Sequence, residues 1–113
     1  MKKKKILKFP KNFLWGVSTS AHQIEGGTHN DWTVWEEQRI QKEGLDRHSY
    51  FSGKACDSYN RHNEDAHLVS NLHCGAYRIG IEWSRIEPLE GEYDMKEVEH
   101  YREVLKGIKR KGL

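Results

Sequence analysis

Residues 13–27 read FLWGVSTSAHQIEGG. Phe13, Leu14, Trp15 and Val17 supply an apolar run, kept narrow by Gly16, Ser18, Ser20 and Ala21. His22, Gln23 and Glu25 then place three hydrogen-bonding groups within four residues. The pattern is that of a buried strand, at about 14–19, that empties into a polar site. Polar groups in such a place cost free energy unless they are partnered. The fold, or a ligand, must therefore supply partners.

Working outward, residues 1–8 form an expected flexible tail and 9–113 the remainder. Phe9-Pro10 is extended, because the residue before proline is pushed away from helix. Residues 26–55 are broken repeatedly by Gly26, Gly27, Asn30, Gly44, Ser49, Ser52 and Gly53. They read as a long irregular connection. Within it a short helix is expected at 32–41, capped by Asp31, with Trp32 and Trp35 on one face. A helix follows at 57–73, with Asp57 at its start, an apolar stripe of Tyr59, Ala66, Val69 and Leu72, and Gly75 ending it.

A second strand is expected at 76–83. Tyr77, Ile79, Ile81 and Trp83 alternate there with Arg78, Gly80 and Glu82. Residues 84–93, with Pro88 and Gly91, read as a loop. A last helix is expected at 95–111. Asp94 and Glu97 make a start like a capping box, Val98, Tyr101, Leu105 and Ile108 form its stripe, and Gly112 closes it. Strands alternating with helices imply an α/β fold with a parallel sheet. A parallel sheet needs cover on both faces, which two strands do not make. The expectation is the opening quarter of a longer α/β protein.

Composition agrees with that expectation. Hydrophobic residues make up 35% and charged residues 32% of 113, which is polar for a chain that must also house four Trp and five Tyr. The basic runs Lys2–Lys5 and Lys106, Lys109, Arg110 and Lys111 have no interleaved aromatics, so they read as a solvated tail and helix face, with no nucleic-acid partner. Cys56 and Cys74 make neither a CxxC motif nor a disulfide framework. Ile6-Leu7 is interrupted by Lys8, which leaves no apolar core for a signal peptide. No apolar run approaches a membrane span. A cytoplasmic setting is the expectation. No histidine pair with a nearby carboxylate has metal-ligand spacing, and neither a metal nor a cofactor is expected.

The stretch 13–27 closely resembles the N-terminal signature of glycoside hydrolase family 1, the β-glucosidase-like enzymes. Three further blocks resemble that family in order: DWTVWEE at 31–37, ACDSYNRHNEDAHLVSNLHCGAYRIGIEWSRIEPLEG at 55–91, and EVEHYREVLKGIKRKGL at 97–113. The resemblance covers nearly the whole chain. It implies a (β/α)8 TIM barrel, of which this chain would hold the first two βα units only, with the site at the C-terminal ends of the strands.

The resemblance also implies roles for individual residues. Gln23 matches the glutamine that hydrogen-bonds sugar hydroxyls, a role suited to an amide that both donates and accepts. Arg78 matches the barrel-interior arginine that pairs with, and ionises, the nucleophilic glutamate. His22 either lines the site edge or packs. Glu25 reads as scaffold bonding loop backbone, Trp83 as packing, and Glu82 as non-catalytic. Asn63-Glu64 looks like the family's Asn-Glu motif, but it lacks the following proline and lies in a helix.

The family's retaining chemistry needs two glutamates about 5–5.5 Å apart, in Asn-Glu-Pro and Glu-Asn-Gly contexts. Neither context occurs in residues 1–113. The expected function is hydrolysis of O-glycosidic bonds in β-glycosides by a full-length enzyme, with the missing C-terminal part of the barrel as partner and a β-glycoside or oligosaccharide as substrate. This fragment is expected to be inactive alone. The alternative is a non-catalytic carbohydrate-binding or interaction module.

Overall fold

A computed structural model describes residues 6–113. Most of the expected tail, residues 1–5, lies outside them, while residues 6–8 are exposed and without regular structure. Strand β1 (Gly16–Ser18) pairs in parallel with β2 (Ala76–Arg78), with Gly16 opposite Ala76 and Ser18 opposite Arg78. Glycine at 16 permits this approach, since a Cβ there would stand 3.0 Å from the Ala76 carbonyl oxygen. Pairing continues at both ends. The Gly75 N–H donates to the Trp15 carbonyl at 2.8 Å and the Thr19 N–H to the Arg78 carbonyl at 3.0 Å. The first strand is thus close to its expected reach.

It is not, however, buried. Leu14 is 66% and Trp15 53% exposed, because a single neighbouring strand covers neither face nor the outer edge. Phe9, Phe13 and Trp15 instead pack on one another, with ring centroids 4.7–4.8 Å apart.

The second strand is shorter than its alternation suggested. Gly80 lies against the start of helix α1 (Ala21–Ile24), where a Cβ would come within 3.2 Å of the Ala21 nitrogen. The backbone turns there, and Trp83 opens helix α5 (Trp83–Ile86) rather than ending a strand. Trp83 is 58% exposed, and its indole N–H donates to Glu87, so it does not fill the expected packing role.

The connection at 26–55 holds the expected helix, longer than 32–41, as α2 (Asp31–Glu43), and a further one, α3 (Arg47–Tyr50). The cap of α2 is Asn30, one residue before the expected Asp31. Its side chain accepts from the Thr33 N–H while the Thr33 hydroxyl receives the Asn30 N–H. The excursion closes on itself: the Gly27 N–H donates to the Gly53 carbonyl at 2.8 Å, and Ser52 donates twice to Glu36.

Helices α4 (Ser58–Asn71) and α6 (Met95–Arg110) pack against each other beneath the sheet. Ala66, Val104 and Ile108 form the core, with Tyr77 and Ile79 of the second strand region and Leu113 packed on it. Tyr101 is buried as expected, but Leu72 and Leu105, placed on the apolar stripes, are exposed. Each helix has only one covered side, which is narrower than the stripe its sequence offers.

Three local readings are also corrected. Asp57 sits in the left-handed region (φ 55°) and gives no side-chain cap. His73 (φ 56°), not Gly75, makes the turn off α4. Asp94 caps α6 through the Lys96 N–H without a reciprocal bond from Glu97, which instead receives the Tyr59 hydroxyl. Gly112 does adopt the positive φ (80°) expected after that helix.

The accessible surface is 9221 Å², against about 6,500 Å² for a self-contained globule of this mass. The radius of gyration is 18.6 Å, against about 13 Å for a compact domain of this length. Among the described residues no large side chain is fully buried. The chain is an open α/β layer with one thin core.

Candidate functional site

The sequence places a single helical turn, α1, directly after β1. Residues 22 and 25 are i and i+3 and share one face of that turn, while residue 23 lies about 100° away. The structure follows this division. His22 and Glu25 point into the protein, and Gln23 is exposed.

Gln23 and Arg78 line one shallow cleft with Ser18, Thr19, Ser20, Ile79 and Gly80. It lies where the two parallel strands end. Arg78 donates to the Ser18 hydroxyl at 3.5 Å, a long bond. Among the described residues no carboxylate lies within ion-pair distance of Arg78 and none lines the cleft. The cleft therefore offers an amide, a guanidinium and three hydroxyls, a set able to donate to and accept from a polyhydroxylated ligand. It offers no carboxylate.

His22 is held away from the cleft. Its Nε2 meets Glu36 at 3.0 Å, and its Nδ1 lies 3.2 Å from the Thr28 hydroxyl and 3.4 Å from Asn30 Nδ2. Asn30 Nδ2 is a donor only, so Nδ1 accepts and the proton sits on Nε2, where it serves Glu36. Burial works against the charge on Glu36, but the Ser52 N–H, His22 and the Ser52 hydroxyl together hold its carboxyl below the usual range. Both ring nitrogens of His22 are thus engaged by neighbouring protein groups.

Glu25 is scaffold, but its carboxylate bonds side chains rather than loop backbone. Tyr101 Oη donates to it at 2.8 Å and Arg85 Nε at 3.1 Å, and Arg85 also donates to the Gly26 carbonyl at 2.7 Å. Burial pushes the Glu25 carboxyl up, and Tyr101 and Arg85 pull it back only in part. The Tyr101 hydroxyl is pushed well above the ordinary phenol range by burial and by the Glu25 charge.

Glu82, read as non-catalytic, is a buried carboxylate that accepts from Asn30 Nδ2 at 3.0 Å and from the Ser84 hydroxyl at 2.8 Å, while its own N–H donates to Tyr101. Asn30, Glu36, Arg85 and Tyr101 were not singled out by motif. The available signal was that a tyrosine on an apolar stripe needs a partner for its hydroxyl.

Among the described residues no group of three or more His, Cys, Asp or Glu is placed to hold a metal ion. No helix among them is long and apolar enough to cross a membrane.

Comparison with known proteins adds a family. The sequence profile of glycosyl hydrolase family 1 matches residues 5–113. Beta-glucosidase A of Thermotoga maritima is 34% identical over 112 residues, covering 96% of this chain and 25% of that protein. Beta-glucosidase 13 of Arabidopsis thaliana is 34% identical over 116 residues, covering 93% and 22%. The solved β-glycosidase from Pyrococcus horikoshii superposes with a TM-score of 0.79 at 38% identity, over 95% of this chain and 24% of that one. The chain thus spans about a quarter of the length of the relatives it matches.

Proposed function

This chain belongs to glycosyl hydrolase family 1, and on that premise we propose that it forms the first two βα units of a (β/α)8 barrel that hydrolyses β-glycosides with retention. Gln23 binds hydroxyls of the sugar. Arg78 supports the nucleophilic glutamate, which a polypeptide carrying the rest of the barrel supplies. His22 is a low-priority candidate for substrate contact, since both its ring nitrogens are engaged by protein.

The carrying observation is that Gln23 and Arg78 share one cleft at the C-terminal ends of two parallel strands. That is where barrels of this kind place their chemistry. The missing carboxylates and the large open surface support the view that this chain binds one side of a sugar and does not cut the bond. Two glutamates are required for cleavage with retention, and this cleft contains neither.

Two measurements test the proposal. The chain alone is expected to show no turnover of an aryl β-glucoside, and measurable turnover overturns the assigned division of labour. Glucose titrated into the isotopically labelled chain is expected to shift the Gln23 side-chain amide and the Arg78 guanidinium first. Shifts confined to other regions, or none, overturn the binding role. The alternative, a non-catalytic sugar-binding or interaction module, keeps the same cleft but requires a monomer that unfolds cooperatively in the absence of any partner.

A further inference from the structure

Helix α1 is too short to hold its own shape, because a single turn closes few hydrogen bonds for the dihedrals it fixes. Whatever aims Gln23 must therefore come from its neighbours. On the N-terminal side, His22 is bonded to Glu36 of α2 and to Thr28 and Asn30. On the C-terminal side, Glu25 is bonded to Tyr101 of α6 and Arg85 of α5.

These two clamps are joined by one residue. The Glu82 N–H donates to Tyr101 Oη at 3.0 Å, and the Glu82 carboxylate accepts from Asn30 Nδ2 at 3.0 Å. The result is a closed circuit: Glu25, Tyr101, Glu82, Asn30, His22, and back to Glu25 through α1. Asn30 is fully committed within it. One amide hydrogen serves His22 and the other Glu82, while its carbonyl oxygen caps α2 through the Thr33 N–H. The Ser84 hydroxyl takes the other oxygen of Glu82. A buried polar ring of this kind, with its members satisfied, fixes one geometry, and removing one member leaves others unpaired.

We infer that Glu82 is a positioning residue for the sugar-binding site, acting through Asn30–His22 on one side and Tyr101–Glu25 on the other to hold Gln23 toward the cleft. The inference rests on the proposed sugar-binding role of Gln23, but its structural part is measured without any sugar. Glu82→Gln preserves the circuit, because its carbonyl accepts from Asn30 and its amide donates to Ser84. Glu82→Ala removes the acceptor. Asn30→Asp keeps the α2 cap but sets a carboxylate against Glu82 and removes the donor to His22.

In nitrogen-detected NMR of the labelled chain, the wild type and Glu82→Gln are expected to show His22 as one tautomer with its proton on Nε2, and an ordered Gln23 side chain. Glu82→Ala and Asn30→Asp are expected to show mixed tautomers and a mobile Gln23 amide. Affinity for glucose should fall about three- to tenfold in the latter two, the worth of one hydrogen bond, and hold in Glu82→Gln.

A wild-type His22 protonated on Nδ1 or averaging between tautomers overturns the inference with no variant needed. So does a Gln23 that stays ordered when the His22 tautomer is lost, because Glu82 would then be structural only. Failure of glucose to bind the wild type removes the sugar-binding reading while the tautomer and order measurements still decide whether the circuit aims Gln23.

Discussion

Glu25 ends the α1 turn and Glu36 of α2 holds its other side through His22, and their carboxyls move in opposite directions. Glu25 is raised by burial, so ionising it costs folded-state stability. Its contribution is fully present below the unfolded value of 4.5 and is lost as pH rises through the folded value. Glu36 is lowered by Ser52 and His22 against the effect of burial, so its contribution is present above 4.5 and is lost as pH falls through the folded value. In denaturant titrations, Glu25→Gln should therefore gain on the wild type as pH rises above 4.5. The deficit of Glu36→Gln should close as pH falls below 4.5. Matching pH profiles for both variants and the wild type would refute both assignments. Tyr101→Phe removes the hydroxyl shared by Glu25 and the Glu82 N–H. It should cost about 1–3 kcal/mol, the penalty for leaving buried polar groups unpaired, seen as faster hydrogen exchange of the Glu82 amide than in the wild type. The signature that named Gln23 was readable as a string of residue types. The partners of Glu25 were not, because Arg85 and Tyr101 lie far along the chain and only folding brings them to it.

At the scale of elements, the excursion from 26 to 55 depends on one close approach. Gly26 has φ 78°, and a Cβ there would lie 2.0 Å from the Lys54 carbonyl oxygen. Gly26→Ala must move backbone, and the positive φ alone costs an L-residue about 1–2 kcal/mol. Proteolysis should then cut residues 26–55 faster than in the wild type, and an unchanged cutting rate would show that the closure does not depend on this glycine. The α4–α6 pair depends on Ile108, buried with Ala66 and Val104. Ile108→Ala should lower stability by about 2–5 kcal/mol in chemical denaturation, whereas Leu105→Ala, on an exposed neighbour, should change it little. Helix α6 was legible because its stripe, caps and closing glycine agree. Helix α2 was legible at 32–41, but its last residues and the whole of α3 were masked by glycines and serines, which read as breakers although Gly44 and Asp46 in fact bound helices.

For the whole molecule, surface is the deciding quantity. An area of 9221 Å² on 13.3 kDa, with Leu14, Trp15, Trp32, Trp35 and Trp83 among the exposed apolar groups, exceeds what a monomeric globule of that mass presents. The chain alone is expected to bind a hydrophobic dye and to associate as its concentration rises. Light scattering that stays monomeric, together with absent dye binding, would contradict this and favour a self-sufficient module. The sequence by itself determined the family, through the resemblance of its blocks, and the two parallel strands with the three longer helices, since these follow from residue type, spacing and periodicity along the chain. Only the tertiary structure decided that Gln23 shares a cleft with Arg78 while His22 turns inward to Glu36. Only it decided, too, that the apolar signature strand lies open. Burial and hydrogen-bond partnership depend on what stands opposite a residue in space: one neighbouring strand for Gly16–Ser18, and three helices for His22 and Glu25.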